Sequence, residues 1–200
     1  MGMVRNAGVA AVLLSLLLFT SGCGVRSIPQ SKNNVEATVA EVTNQYKRRA
    51  DLIPNLVQTV KGYAAHEKET LQAVVEARAK ATATRIDPTN VNAADMQKFQ
   101  AAQGSLSQAL GRLMVVVEKY PDLKADRNFR ELQAQLEGTE NRITVARNRH
   151  IEAIKQFNNL VTVPPESWTN NLFYKYEKMP QWTVDEEEKA QNQIAPKVEF

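Results

Sequence analysis

The sequence predicts an all-α fold, an up-and-down antiparallel bundle of long helices, and three observations predict it. Apolar residues recur alternately three and four positions apart, as in Val35, Val39, Val42, Tyr46 and again in Ile53, Leu56, Val60, Tyr63, a spacing that keeps one stripe of a helix against a partner. Two compact turn signals, Asp87-Pro88-Thr89-Asn90 and Tyr120-Pro121-Asp122, divide the pattern. Short turns between long helices make sequential neighbours antiparallel. No period-two alternation of useful length suggests a strand.

The first element precedes the bundle. Met1 to Asn6 carries one positive charge, Arg5, and is followed by the apolar and small-residue run Ala7 to Phe19 and by Thr20-Ser21-Gly22-Cys23. A basic start, a short apolar core and small residues before a cut describe a secretory signal over residues 1–22. About thirteen helical residues span roughly 20 Å, less than the roughly 30 Å of a hydrocarbon core. Cys23, the single cysteine, stands at the cut and resembles the lipidated cysteine of a bacterial lipobox. The alternative is an uncleaved membrane anchor over residues 7–24. Either way the remainder lies outside the cytoplasm, attached by its N-terminus. A lipidated Cys23 leaves no thiol for a disulfide or for cysteine chemistry. Gly24 follows it, where an aspartate would resemble an inner-membrane retention signal, so an outer membrane is favoured in a cell with two. Residues 23–32, with Gly24, Pro29, Ser27 and Ser31, read as the lipidated cysteine and a tether.

Residues 33–163 read as the bundle. The stripe of the first helix continues through Glu67, Thr70, Val74, Ala77 and Ala81. Pro54 cannot donate to the Ala50 carbonyl and crowds that turn, yet the stripe keeps its phase across it. This favours one long helix over residues 33–84, kinked near Pro54; the alternative is two helices with Asp51 capping the second. Asn92 and Asp95 suit the start of a second helix, with Met96, Phe99, Gln103, Leu106, Leu110, Leu113, Val117 and Tyr120 on its stripe. A third runs to about Leu160, with Phe129, Leu132, Leu136, Ile143, Ala146, Ile154 and Phe157 inward.

Composition changes after Val163-Pro164-Pro165. Residues 164–200 hold Trp168, Phe173, Tyr174, Tyr176, Trp182 and Phe200, an acidic run from Asp185 to Glu188, and prolines at 164, 165, 180 and 196 that forbid one continuous helix. Two readings stay open for this extended tail. Its aromatics pack along grooves of the bundle, or Trp168, Phe173, Tyr174, Tyr176 and Trp182 dock a partner or lie at a membrane interface, where tryptophan and tyrosine concentrate.

The residues offer little for catalysis. The chain has 25 basic and 22 acidic residues, a formal charge of +3 with both signs dispersed, and no basic stripe with interleaved aromatics to mark a nucleic-acid surface. Bundles hold di-metal sites on Glu-x-x-His pairs, but Tyr63 precedes His66 and Arg147 precedes His150 at that spacing. No metal or other cofactor is expected, and no phosphate loop or nucleophile elbow stands out. One constellation breaks the apolar pattern. Glu67 lies on the first stripe with Arg78 beside it, and Thr139 and His150 take inward positions on the third helix, flanked by Glu140 and Arg147. Aligned, they would form a buried polar layer, whose expected use is helix register, with a ligand pocket or a plain solvated rim as the alternatives. Lys47-Arg48-Arg49 reads as a solvated face, or as a contact for anionic lipid head groups; Arg49 falls on the core stripe and would pair internally.

Lys47 to Val57 (KRRADLIPNLV), followed by Val60 to Glu67 (VKGYAAHE), resembles the signature of the LemA family. Glu118 to Lys124 (EKYPDLK), Leu136 to Ile143 (LEGTENRI), Ala146-Arg147-Asn148 and the ending Ala195 to Phe200 (APKVEF) are similar to its later motifs. The resemblance implies a membrane-anchored, extracytoplasmic helical bundle and supplies no catalytic residues. Many relatives carry a tyrosine-asparagine pair after the anchor and a tryptophan in the first helix, where this chain has Asn33-Asn34 and Val39. The expected role is a non-enzymatic scaffold or interaction module of the bacterial envelope, with membrane lipid at Cys23, envelope proteins and further copies of itself as partners and no nucleic acid. The alternative is a ligand- or protein-sensing protein in which binding shifts the kink near Pro54 or releases the tail.

Overall fold

The computed structural model describes residues 22–182. The signal segment and the acidic run Asp185–Glu188 lie outside the described residues, and of Cys23 only the backbone is described. Six α-helices follow one another: α1 (Gly22–Tyr63), α2 (Lys68–Ala83), α3 (Ala93–Val117), α4 (Pro121–Ala125), α5 (Arg127–Thr162) and α6 (Glu166–Thr169), the last running into a π-helical turn over Asn170–Tyr174. The long helices run up, down, up and down, so the predicted all-α antiparallel bundle is the fold.

At 1.5 Å per residue the 42 residues of α1 span about 63 Å. Its predicted stripe is its buried face up to the last turn: Val35, Val39, Val42, Tyr46, Ile53, Leu56 and Val60 are all buried, whereas Tyr63, at the helix end, is exposed. The helix begins earlier than expected, because residues 24–32 are its first turns and not a tether. Ile28 supplies the reason. It is fully buried in a cluster with Val35, Ala153, Ile154 and Phe157, and such burial is worth about 1.5–3 kcal/mol, enough to hold a helix across Pro29.

Both prolines of α1 sit inside it without ending it. A proline in a helix leaves the carbonyl four residues earlier without its donor. Here other parts of the chain supply one in each case. The Tyr174 hydroxyl donates to the Val25 carbonyl at 2.6 Å, serving Pro29. Arg78 Nε donates to the Ala50 carbonyl at 2.8 Å, serving Pro54.

The single helix expected over residues 33–84 is instead a hairpin. The chain turns at Ala64–Glu67, with the Glu67 amide donating to the Ala64 carbonyl at 3.1 Å, and α2 folds back. The break is not at Asp51, the capping site of the alternative reading, and Pro54 is not where the chain turns. Phase survives the turn because both arms pack on the same partner: Ile53, Leu56 and Val60 from α1 and Leu71, Val74 and Ala81 from α2 share a core with Leu106, Leu113 and Val117 of α3. A straight helix would leave the α2 face without a partner. Gly62 weakens the helix just before the turn, by about 1 kcal/mol relative to alanine.

Side-chain oxygens close the remaining boundaries, at the expected Asp87 and Asn92 and at Asp126, which sequence did not mark. Asp87 Oδ1 accepts from the Thr89 amide and hydroxyl in the first turn, Asn92 caps α3 through the Asp95 amide at 2.8 Å, and Asp126 caps α5 through the Phe129 amide at 2.9 Å. Helix α5 (36 residues) runs antiparallel to α1 along its length. Four helices surround the core at the Tyr63 end, whereas at the Gly22 end α1 and α5 meet without α2 or α3.

The tail completes that thinner end. Rather than an extended strand throughout, it forms α6 and the π-helical turn, closes with Lys175 in the left-handed region (φ 55°), and only then extends to Trp182. Asn170, buried, donates from Nδ2 to the Tyr176 carbonyl at 2.9 Å and accepts the Tyr176 amide at 3.0 Å. Asn158 does the same for Met179, at 3.0 and 2.8 Å. Tyr174, Tyr176 and Met179 thereby cover the Ile28–Phe157 cluster.

Candidate functional site

Three polar places stand where one buried layer is expected. The most extensive is built on Arg49, which is 3% exposed on α1. Its Nη1 donates to Glu140 Oε2 at 2.9 Å and to Ser107 Oγ at 3.0 Å. Its Nη2 donates to Gln103 Oε1 at 2.9 Å, and the guanidinium stacks 5.0 Å over the Tyr46 ring. Gln103, also buried, passes its amide to the Ala81 carbonyl at 3.3 Å. One side chain of α1 thus joins α2, α3 and α5. Lys47 and Arg48 remain exposed, so the basic run is two solvated residues and one buried cation.

The second place is His150, fully buried on α5. Thr38 donates its hydroxyl to the Val35 carbonyl at 2.8 Å, leaving its oxygen to accept from His150 Nδ1 at 3.0 Å. Nε2 has no hydrogen-bond partner among the described residues. Trp182 stands edge-on to the imidazole at 6.0 Å, and Arg147 lies 5.3 Å over the Trp182 ring. Burial penalises the charged imidazolium and lowers the pKa of His150 from 6.5 to about 4.

The third place is the turn between α1 and α2. Tyr120 donates to Glu67 Oε1 at 3.0 Å and meets His66 Nε2 at 2.9 Å. Removal from water, and then the Glu67 carboxylate, raise its pKa. Beside it Tyr63 donates to Asp126 Oδ2 at 3.0 Å, and that bond raises the phenol's pKa; the hydrogen bond from the Phe129 amide holds Asp126 low.

The expected layer therefore dissolves into separate contacts. Glu67 belongs to the turn, and Arg78 spends its Nε on the Ala50 carbonyl. Glu140 joins Arg49, His150 and Arg147 meet around Trp182, and Thr139 closes locally, donating to the Gln135 carbonyl at 2.7 Å and accepting from Arg142 at 3.1 Å. A charged layer would have needed the two helices to align at Glu67, but α1 ends at Tyr63 and carries Glu67 away. Sequence places Gln103 on the α3 stripe without a role, and it marks Thr38, Asn158 and Asn170 not at all. A polar residue on an apolar stripe was the available signal for Gln103.

The tail aromatics divide as well. Trp182 is buried beside Val39, Val42, Ile86 and Ile143, and Tyr174 stacks on Tyr176 at 5.5 Å. Trp168, Leu172 and Phe173 are instead 68%, 71% and 66% exposed. They project from α6 and the π-helical turn, which pack on the first turns of α1.

Among the described residues no helix is long and apolar enough to cross a membrane, and no group of three acidic, histidine or cysteine side chains converges to suit a metal ion. A sequence model of the LemA family matches residues 38–200. The chain belongs to the LemA family. A comparison with curated proteins finds no match. The LemA match takes in the hairpin, α3, α5 and the tail, so the Arg49 network and the Trp182 contacts both lie inside LemA-family sequence.

Proposed function

We propose that this LemA-family chain is a membrane-anchored, non-enzymatic interaction module of the bacterial envelope, held by lipid on Cys23 and facing the periplasm or the cell exterior, at the outer membrane where a cell has two. The observation that carries this reading is the position of Trp168, Leu172 and Phe173. They are exposed together at one end of the bundle, and Tyr174 ties their turn to the Val25 carbonyl. Val25 is two residues beyond Cys23, and the apolar run Ala7–Phe19 precedes it. An anchor there brings the same end of the molecule to the bilayer, where exposed tryptophan and phenylalanine are favoured in the interfacial zone. A second contact beside a single lipid attachment strengthens and orients it.

The far end, with Tyr63, His66, Glu67 and Tyr120, then stands about 60 Å from the surface on α1. A long bundle whose deepest charge, Arg49, is spent on joining its own helices suits holding and spacing envelope proteins, or further copies of itself, rather than turning over a substrate.

Crosslinking in intact cells, followed by purification from mildly solubilised membranes, tests this. One or two defined envelope proteins should co-purify with the natural chain and be lost with Cys23→Ala. Trp168→Ala with Phe173→Ala should leave the fold intact and loosen membrane attachment of the unlipidated form. Recovery of Cys23→Ala in membranes at the natural level, with the same partners, overturns the lipid anchor. Partner-free purification of the natural chain overturns the scaffold.

A further inference from the structure

The α1–α2 hairpin and the start of α3 enclose a cleft of about 500 Å³ that none of the interactions above fills. Its floor is buried and largely apolar. Tyr46 and Phe99 meet edge to face at 5.1 Å, and Ile86 closes one side. Its rim carries three cations, Lys47, Arg78 and Arg85, against one lining carboxylate, Asp51.

The cations are uncommitted. Among the described residues neither Lys47 nor Arg85 makes an ion pair or a side-chain hydrogen bond, and Asp51 pairs with none of the three. Arg78 is held only through Nε, by the Ala50 carbonyl that Pro54 leaves without a donor. Both of its Nη groups are therefore oriented and, among the described residues, unoccupied. A guanidinium fixed in this way offers the planar two-point grip that suits an oxyanion.

We propose that this cleft binds a small anionic ligand, a phosphate or carboxylate carried on a flat or apolar body, with the oxyanion on Arg78 between Lys47 and Arg85 and the body over Tyr46, Phe99 and Ile86. Like charges gathered around an apolar floor lower the cost of bringing such an anion out of water and raise its local concentration. A volume of about 500 Å³ is within the range of small-molecule sites. The site bridges both arms of the hairpin, so an occupant would lock α2 onto α1. This inference stands whether or not the chain is anchored.

Phenyl phosphate is the probe, titrated into the full chain in a neutral detergent, with phenol as the uncharged control. Binding is read by calorimetry and by the Arg78 Nε–H resonance, which its bond to Ala50 protects from exchange. Phenyl phosphate should bind saturably in the millimolar range or tighter and shift that resonance, and phenol should not. Arg78→Lys should weaken binding about tenfold, since an ammonium cannot reproduce the fork. Because that variant also disturbs Ala50, Lys47→Gln and Arg85→Gln, both on exposed side chains, provide the independent check. Each should weaken binding several-fold at an unchanged melting temperature. No saturable binding up to about 10 mM, or equal binding by the Lys47→Gln, Arg85→Gln double variant, overturns the proposal. Binding that appears only after Asp185→Asn with Glu186→Gln, Glu187→Gln and Glu188→Gln also overturns it, because the chain's own acidic run is then the occupant.

Discussion

Arg49 and Glu140 meet at 2.9 Å across α1 and α5, yet the arginine side chain is 4% exposed and the glutamate 54%. The pair is lopsided. Arg49 has left water completely and depends on Glu140, Gln103 and Ser107 to replace it, whereas Glu140 keeps much of its hydration. Removing either partner should therefore have unequal consequences.

Arg49→Ala should destabilise the fold by about 3 kcal/mol, because it empties a buried site and strands the Gln103 carbonyl oxygen. Glu140→Gln should cost less, about 1–2 kcal/mol, because it removes the counter-charge of a buried arginine but keeps an oxygen to accept from Nη1. Glu140→Leu falls between these. Urea unfolding of the three variants measures the order; equal losses for Arg49→Ala and Glu140→Gln would remove the asymmetry.

Stability should fall in mild acid. His150 titrates near 6.5 when unfolded and at about 4 in the fold, so its contribution is complete above pH 6.5. As the pH drops the unfolded chain takes up the proton first, and stability is lost progressively down to about pH 4. The total is on the order of 3 kcal/mol. A His150→Leu variant should unfold with a flatter pH dependence between 4 and 6.5, as denaturant midpoints across that window would record.

The proline-linked hydrogen bonds make a paired prediction. Tyr174→Phe should cost about 1 kcal/mol and open the first turns of α1 to amide exchange. In a Pro29→Ala background the same change should cost less, because residue 29 then has an N–H to give the Val25 carbonyl. A double-mutant cycle reads the difference directly. Additive losses would mean that the Tyr174 bond does not serve Pro29.

The tail aromatics should separate by burial. Trp182→Ala is expected to cost about 3–5 kcal/mol, as large aromatic truncations in cores do. Trp168→Ala and Phe173→Ala should stay within about 0.5 kcal/mol in thermal or urea melts. Deleting residues 165–200 should loosen the Gly22 end, seen as lost exchange protection around Ile28 and Phe157, while the four-helix end stays folded.

Much of this fold is written in side-chain period. The α1, α3 and α5 stripes, the Asp87 and Tyr120-Pro121 turns and the Asn92 signal are local, and local chemistry decides them. The hairpin at Ala64–Glu67 was hidden for a physical reason. A period reports which face is apolar and not whether the helix carrying it is continuous, and both arms here use one partner. The start of α1 was misread because glycine, proline and serine describe a loop locally, while Ile28 finds its reward more than a hundred residues away. The polar residues show the same division. Arg49 was visible as a charge on a stripe, but its partners Gln103 and Ser107 depend on where α3 lands. Trp182 and Trp168 belong to one aromatic-rich tail in sequence, and only the fold puts one inside and the other out.

The thin end of the bundle carries a consequence for the order of folding. Its core joins the beginning of α1 to the end of α5 and then to Tyr174, Tyr176 and Met179, segments far apart in sequence. The α1–α2–α3 end closes between near neighbours and can assemble early. The other end stays open until Tyr174, Tyr176 and Met179 have been delivered, although its first turns are the earliest of these elements to be made. A chain that crosses a membrane as it is synthesised would thus close this end only after those residues had arrived.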